Sequence, residues 1–190
     1  MRCFSGICSV DNMPPQLPSP LFTVSGFTTR QLGIEDVDLL QPLLVRCSDY
    51  FQLVSTAAPT PSAVSSLLNE CPKGKNLEDK SLIGFFSDSH DLIGILDFVR
   101  DYPSQSEWWL GLLLLDPAFR TGLGFCIYRA FEAWAIQCKV HHIYLGVVDE
   151  NQGAYRFWQK LGFETLERQP ARLIGNSEHL VITMCRTLMH

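Results

Sequence analysis

The sequence predicts an α+β domain, on three observations. Two stretches with helical spacing precede residue 70, and three apolar runs separated by turn residues lie between Ser81 and Asp116. A glycine loop then opens an alternation of helix and strand that ends in two further strand-like runs. The 190 residues suit one domain, read as residues 21–190 behind a tail of residues 1–20. Apolar residues make up 46% of the chain and aromatics 11%, enough for a sizeable core and too much for wholesale disorder.

The tail carries Pro14, Pro15, Pro18 and Pro20 and lacks the apolar stretch of a secretion signal, which predicts a flexible segment on a cytoplasmic protein. Leu21 to Leu32, rich in Thr, Val and Phe, reads as the first strand. A helix follows, with Glu35 and Asp36 in its first turn and Val37, Leu40, Leu44 and Cys47 on one face. Pro42 stands early enough to be tolerated there. Thr60 as cap and Pro61 as first helical residue predict a second helix to about Asn69. Residues 81–89, 91–99 and 107–116 then read as a β-meander. Past the glycine loop, a helix runs from about Phe125 to Gln137, with Ile127, Ala130, Phe131 and Trp134 turned to one side. Residues 141–148 form another strand, and Asp149 to Asn151 cap a helix that stops at Gly162. Phe163 to Leu188 reads as two strands joined around Gly175 and Asn176.

Composition excludes several classes of function. A formal charge of −5 argues against a non-specific nucleic-acid binder, which needs a basic stripe to displace counterions. The longest apolar run, Trp108 to Leu115, falls far short of the roughly 18 residues of a membrane span. Seven cysteines, an odd number without a C-x-x-C pair, read as reduced thiols, and the five histidines form no metal-spaced cluster, so no metal is expected. Charged residues are 18% of the chain against about 25% on average, which accords with self-association as a homodimer.

The chemistry concentrates after Leu115. A strand, then Asp116 and Pro117, then the loop Arg120-Thr121-Gly122-Leu123-Gly124 and a helix make a backbone anion site, because helix-start amides and the helix dipole favour negative charge. Taken alone, the glycines also suit an ordinary turn, and neither a Walker lysine pattern nor G-x-G-x-x-G is present. A nucleotide-binding module is disfavoured because no acidic ribose-binding residue or magnesium ligand sits at suitable spacing. Two stretches together, LLLLDPAFRTGLGF and a second one carrying Asn151, Ala154, Phe157, Gly162 and Phe163, resemble the signatures of the GNAT superfamily of acyl-CoA-dependent N-acyltransferases. The resemblance spans roughly Phe22 to Leu188. It has two departures: Arg120 lies one position too close to Gly122, so that Phe119 takes the usual Arg/Gln place or the loop is one residue short, and Trp158 stands where the family commonly has tyrosine.

The resemblance implies the GNAT fold, a mixed, mostly antiparallel central sheet splayed at the CoA site and flanked by helices. It also implies acetyl-CoA as acyl donor and an amine as acceptor. The pyrophosphate would lie on the amides of Thr121, Gly122, Leu123, Gly124 and Phe125, and the pantetheine arm along the backbone of Leu113, Leu114 and Leu115. Arg120 then contacts a phosphate or is a plain surface arginine; Asn151 contacts the pantetheine arm, caps its helix, or does both; Phe157 and Trp158 wall the cofactor or fill the core. For the base that frees the amine, Asp97 comes first, an acid on the strand face of Ile93, Ile95 and Val99, unless it is merely a paired buried carboxylate. Glu107 is second. Tyr155, three residues before Trp158, is the candidate proton donor to the thiolate, or a packing tyrosine. Asp49 and Tyr50 at the end of the first helix, with Trp108 and Trp109, shape the acceptor pocket or simply pack. The expected function is acetyl transfer from acetyl-CoA to a primary amine by direct attack; the alternative is a degenerate acyl-CoA-binding sensor or interaction module of the same fold. Polyamines, aminoglycosides, amino-acid amines and protein amines all suit the charge.

Overall fold

The computed structural model describes residues 22–55, 58–174 and 177–189, so the tail and the turn at Gly175 and Asn176 lie outside it. Among the described residues, seven strands form one sheet: β1 (Thr28–Gln31), β2 (Lys80–Phe86), β3 (Leu92–Val99), β4 (Glu107–Leu115), β5 (His142–Val148), β6 (Glu164–Ile174) and β7 (Ser177–Thr187). Their order is β1-β2-β3-β4-β5-β7-β6. Every neighbouring pair is antiparallel except β4 and β5, which run parallel, so the sheet is mixed and mostly antiparallel. The helices of the same residues are α1 (Val37–Arg46), α2 (Ser48–Ser55), α3 (Pro61–Asn69), α4 (Leu123–Gln137) and α5 (Gln152–Lys160).

All eight residues of β3 are buried, because helices cover both faces of the sheet there. On one face Leu40, Leu43 and Leu44 of α1 and Val64 of α3 pack on Leu82, Leu92, Ile95 and Leu114. On the other, Ile127, Tyr128, Phe131 and Trp134 of α4 and Trp158 of α5 meet Phe85, Phe98, Trp108 and Ile143. The buried Glu132 carboxylate is held by Arg129 at 2.6 Å and by Arg186, which ties α4 to β7.

Local chemistry sets the helix ends. Gly122 caps α4 at φ +86°, a conformation that a side chain would strain. The Asn151 side chain accepts the Ala154 N–H at 3.0 Å and starts α5, while Gly162, at φ +89°, ends it. Differences from the sequence reading are local too. The first strand is shorter than residues 21–32, since Val24 and Phe27 close a small bridge of their own and Phe22 turns into the core beside Phe85 and Phe131. The first helix ends at Cys47, whose N–H bonds back to Leu43 and Leu44, and Asp49 and Tyr50 open a separate helix, α2. Ile93 leaves the face of Ile95 and Asp97 because it is the extra residue where β3 slips against Phe85 and Phe86.

Candidate active site

β4 and β5 pair from Glu107 opposite His142 as far as Leu110 opposite Leu145, and there the ladder stops. The cause lies in β4: Leu112 faces Asp97 and Leu110 faces Phe98, so Gly111 is an extra residue, a bulge that bends the strand. β4 continues along β3 and β5 along β7, which opens a V between Gly111–Leu115 and Gly146–Val148.

Three neighbouring cavities lie in and beside this V. A cavity of about 400 Å³ at the end of β4 is walled by Arg120, Gly124, Asn151 and Phe157. The next, about 360 Å³, lies between the splayed strands and is walled by Trp109, Gly111, Gly146 and Trp158. The third, about 700 Å³, opens between α2, α3 and the sheet over Lys80 and Asp97. Tyr50 lines all three, and Trp109 and Gly111 line the second and third, so neighbouring cavities share walls.

The first cavity borders the start of α4 and is lined by one acid, Asp49, and one cation, Arg120. Gly122 and Phe125 amides are taken inside the loop, by the Arg120 carbonyl at 2.9 Å and the Gly122 carbonyl at 3.1 Å. Those of Thr121, Leu123 and Gly124 have no backbone acceptor among the described residues, and they stand at the positive end of the α4 dipole. Arg120 donates through Nε to the Leu115 carbonyl at 3.0 Å and grips Asp49 with its guanidinium, Nη2 to Oδ1 at 3.0 Å. That grip holds the Asp49 carboxyl below its usual range. Arg120, not Phe119, faces the cavity, since Phe119 packs edge-on to Phe27. Leu115 is a correction to the backbone reading: its carbonyl is occupied by Arg120 and, at 3.3 Å, by the Cys47 thiol, so the free edge of β4 is Gly111 to Leu114.

The third cavity is built around a buried acid. Asp97 is 7% exposed, and Lys80, on the same face of β2, donates to its Oδ2 at 2.9 Å. Oδ1 lies 2.8 Å from the same ammonium but off the hydrogen-bonding direction, and has no other partner among the described residues. Burial pushes the carboxyl above its ordinary range, and the Lys80 charge pulls against that shift. Oδ2 hangs over the bulge: a Cβ on Gly111 would stand 2.7 Å from it. Gly111→Ala is therefore expected to fold cooperatively while displacing the carboxylate, with kcat reduced by a larger factor than CoA affinity; steady-state kinetics beside calorimetric titration separates the two.

The acetyltransferase (GNAT) family profile matches residues 49–163, from the Asp49 end of the first cavity through the glycine loop and α5. The chain belongs to the acetyltransferase (GNAT) family. Solved structures agree on the fold. An acetyltransferase from Thermus thermophilus superposes with a TM-score of 0.71 at 22% identity, over 87% of this chain and 99% of that one. The spermidine N-acetyltransferase from Vibrio cholerae, in complex with CoA and spermine, gives 0.65 at 16%, over 86% and 96%. The ribosomal-protein-S18-alanine N-acetyltransferase from Escherichia coli gives 0.60 at 15%, over 86% and 95%. No curated protein sequence matches significantly. By family this GNAT protein is an acyl-CoA-dependent acetyltransferase. Among the described residues, no group of three or more His, Cys, Asp or Glu is placed to hold a metal, and no helix is long and apolar enough to cross a membrane.

Several residues singled out from the sequence stand elsewhere in the GNAT site than expected. Strand alternation separates the two tryptophans: Trp109 faces the cleft, stacked on Tyr144, whereas Trp108 is buried on the α4 side against Phe98 at 5.0 Å and Trp134. Trp108 is thus core, not pocket. Asp49 belongs to the first cavity with Arg120, away from the Asp97 cavity. Glu107 accepts from Tyr144 Oη at 3.1 Å, lies 3.3 Å from His142 Nδ1, and lines none of the three cavities. Tyr155 is turned away from the cleft. Asn151, Ala154 and Trp158 share the cleft face of α5 at helical spacing, and Tyr155, about 100° round from Ala154, meets Thr165 Oγ1 of β6 at 3.0 Å. Trp158 combines both readings, buried against Tyr128 and Phe163 while walling the second cavity. Lys80, Gly111 and α2 escaped the sequence reading. Only Gly111 carried a signal, an isolated glycine inside an apolar strand, which marks a bulge.

Proposed function

We propose that this acetyltransferase moves an acetyl group from acetyl-CoA to a primary amine by direct attack, donor in the first two cavities and acceptor in the third. The observation that carries the reading is the bulge at Gly111, where the splay and the Asp97 cavity share a wall. Acetyl-CoA supplies an activated thioester carbonyl. The free edge of β4 suits the amide groups of the pantetheine arm, and the Thr121, Leu123 and Gly124 amides suit its pyrophosphate. Asp97 takes a proton from the incoming ammonium, which must become neutral to attack; Lys80 keeps the carboxylate ionised and aimed. A thiol of the cysteine kind has a pKa of about 8.5, so its thiolate leaves without an obligatory acid. Tyr50, which lines all three cavities, is the candidate donor.

Tyr155→Phe keeps the half-buried ring and touches no cleft-facing group, so it is expected to leave kcat within about twofold and to lower the thermal midpoint slightly through the lost Thr165 contact. Thiol release from acetyl-CoA with a panel of amines tests the whole reading. Release that depends on the amine supports it; tight CoA binding with no release for any amine leaves the sensor reading in its place.

A further inference from the structure

We infer that the acceptor is a monoamine with an apolar body, and not a polyamine, an aminoglycoside or a free amino acid. This rests on the reading of the Asp97 cavity as the acceptor site, and its argument is the charge and texture of the walls. At about 700 Å³ the cavity holds a drug-sized molecule, so the acceptor has a body as well as an amine. Phe51 and Val54 of α2, Leu67 of α3, Val99 of β3 and Trp109 of β4 give that body an apolar lining from four elements. The charges cannot serve a polycation. At the inner end Asp97 is already neutralised by Lys80, at 2.8 and 2.9 Å, and Glu70, on the exposed rim, is the other acid of the lining among the described residues. Each further ammonium of a polyamine would meet apolar wall or neutral hydroxyls such as Thr60 and Ser66, with no acid but Glu70 at the rim to pair with, so it gains nothing over an apolar body. A carboxylate beside the reacting amine fares no better. Among the described residues Lys80 is the only cation in the lining, and an amino acid's carboxylate would compete with Asp97 for it and disarm the base.

The test compares 2-phenylethylamine, hexylamine, spermidine, kanamycin and phenylalanine as acceptors for the wild-type protein, by thiol release with saturating acetyl-CoA. In parallel, Trp109 and Trp158 fluorescence of the CoA-loaded protein reads binding of the same compounds without turnover. The inference expects kcat/KM for 2-phenylethylamine to exceed that for spermidine by at least about tenfold, the factor one buried ring is worth. Leu67→Glu, which adds a carboxylate to the wall, is expected to narrow that ratio. Preference for spermidine, kanamycin or phenylalanine, or no preference in either readout, overturns the inference. Selective binding of the apolar amines with no thiol release overturns the transferase reading and leaves the ligand class standing.

Discussion

Asp97→Asn is expected to lower turnover by about 10²–10⁴, the range for a positioned general base. The amide keeps the shape of the carboxylate over Gly111 and its contact with Lys80, but cannot take the proton. The pH profile sharpens the test. Because burial raises this carboxyl above its ordinary range, kcat/KM of the wild type climbs with pH through that raised value, as the base ionises. In the variant this limb is gone, and only the rise from the amine's own deprotonation at higher pH remains. Stability moves the other way. Between the unfolded and the raised folded pKa the native state holds the extra proton, so the contribution of Asp97 to stability falls as pH rises across that window. The difference between wild-type and variant unfolding free energies should show this slope. Normal turnover with the limb intact would move the base elsewhere.

Gly124→Glu is expected to abolish CoA binding while unfolding stays cooperative. A Cβ at Gly124 would lie 3.4 Å from Leu115 Cδ1 and from Phe157 Cζ, ordinary contact, so the backbone tolerates a side chain. A longer acidic one reaches the first cavity, which Gly124 lines, and sets a negative charge beside the amides proposed for the pyrophosphate. Losing two charge-assisted hydrogen bonds at about 1.5–3 kcal/mol each predicts at least a hundredfold weaker binding. Gly124→Ala separates bulk from charge: it should bind CoA nearly as the wild type does. Calorimetric titration of both variants decides, and unchanged affinity in Gly124→Glu would remove the pyrophosphate from this loop.

The strands and most helices were legible because each carries its own period or cap, as the Thr60-Pro61 start of α3 and the Gly162 stop of α5 illustrate. The break between α1 and α2 was not, since Ser48 to Ser55 continues the helical spacing and only the backbone turn at Cys47 divides them. Site residues fared according to the distance of their partners. Asn151 and Ala154, three apart on one helix, could be placed together from sequence. Lys80 reaches Asp97 only through the register of two strands, and Arg120 meets Asp49 across 71 positions. Of the two readings of Tyr155, proton donor or packing residue, the geometry favours packing, because one step of helical rotation turns the ring from the cleft to β6.

The bulge at Gly111 also makes the sheet a structure with a missing piece. Beyond Leu110 and Leu145 two strands forgo the ladder bonds that their neighbours make, each worth about 1 kcal/mol. A donor that hydrogen-bonds to this edge does more than occupy a site: it completes the secondary structure that the extra residue interrupts. In the proposed binding mode, folding and donor binding are linked equilibria, and saturating CoA is expected to raise the thermal midpoint.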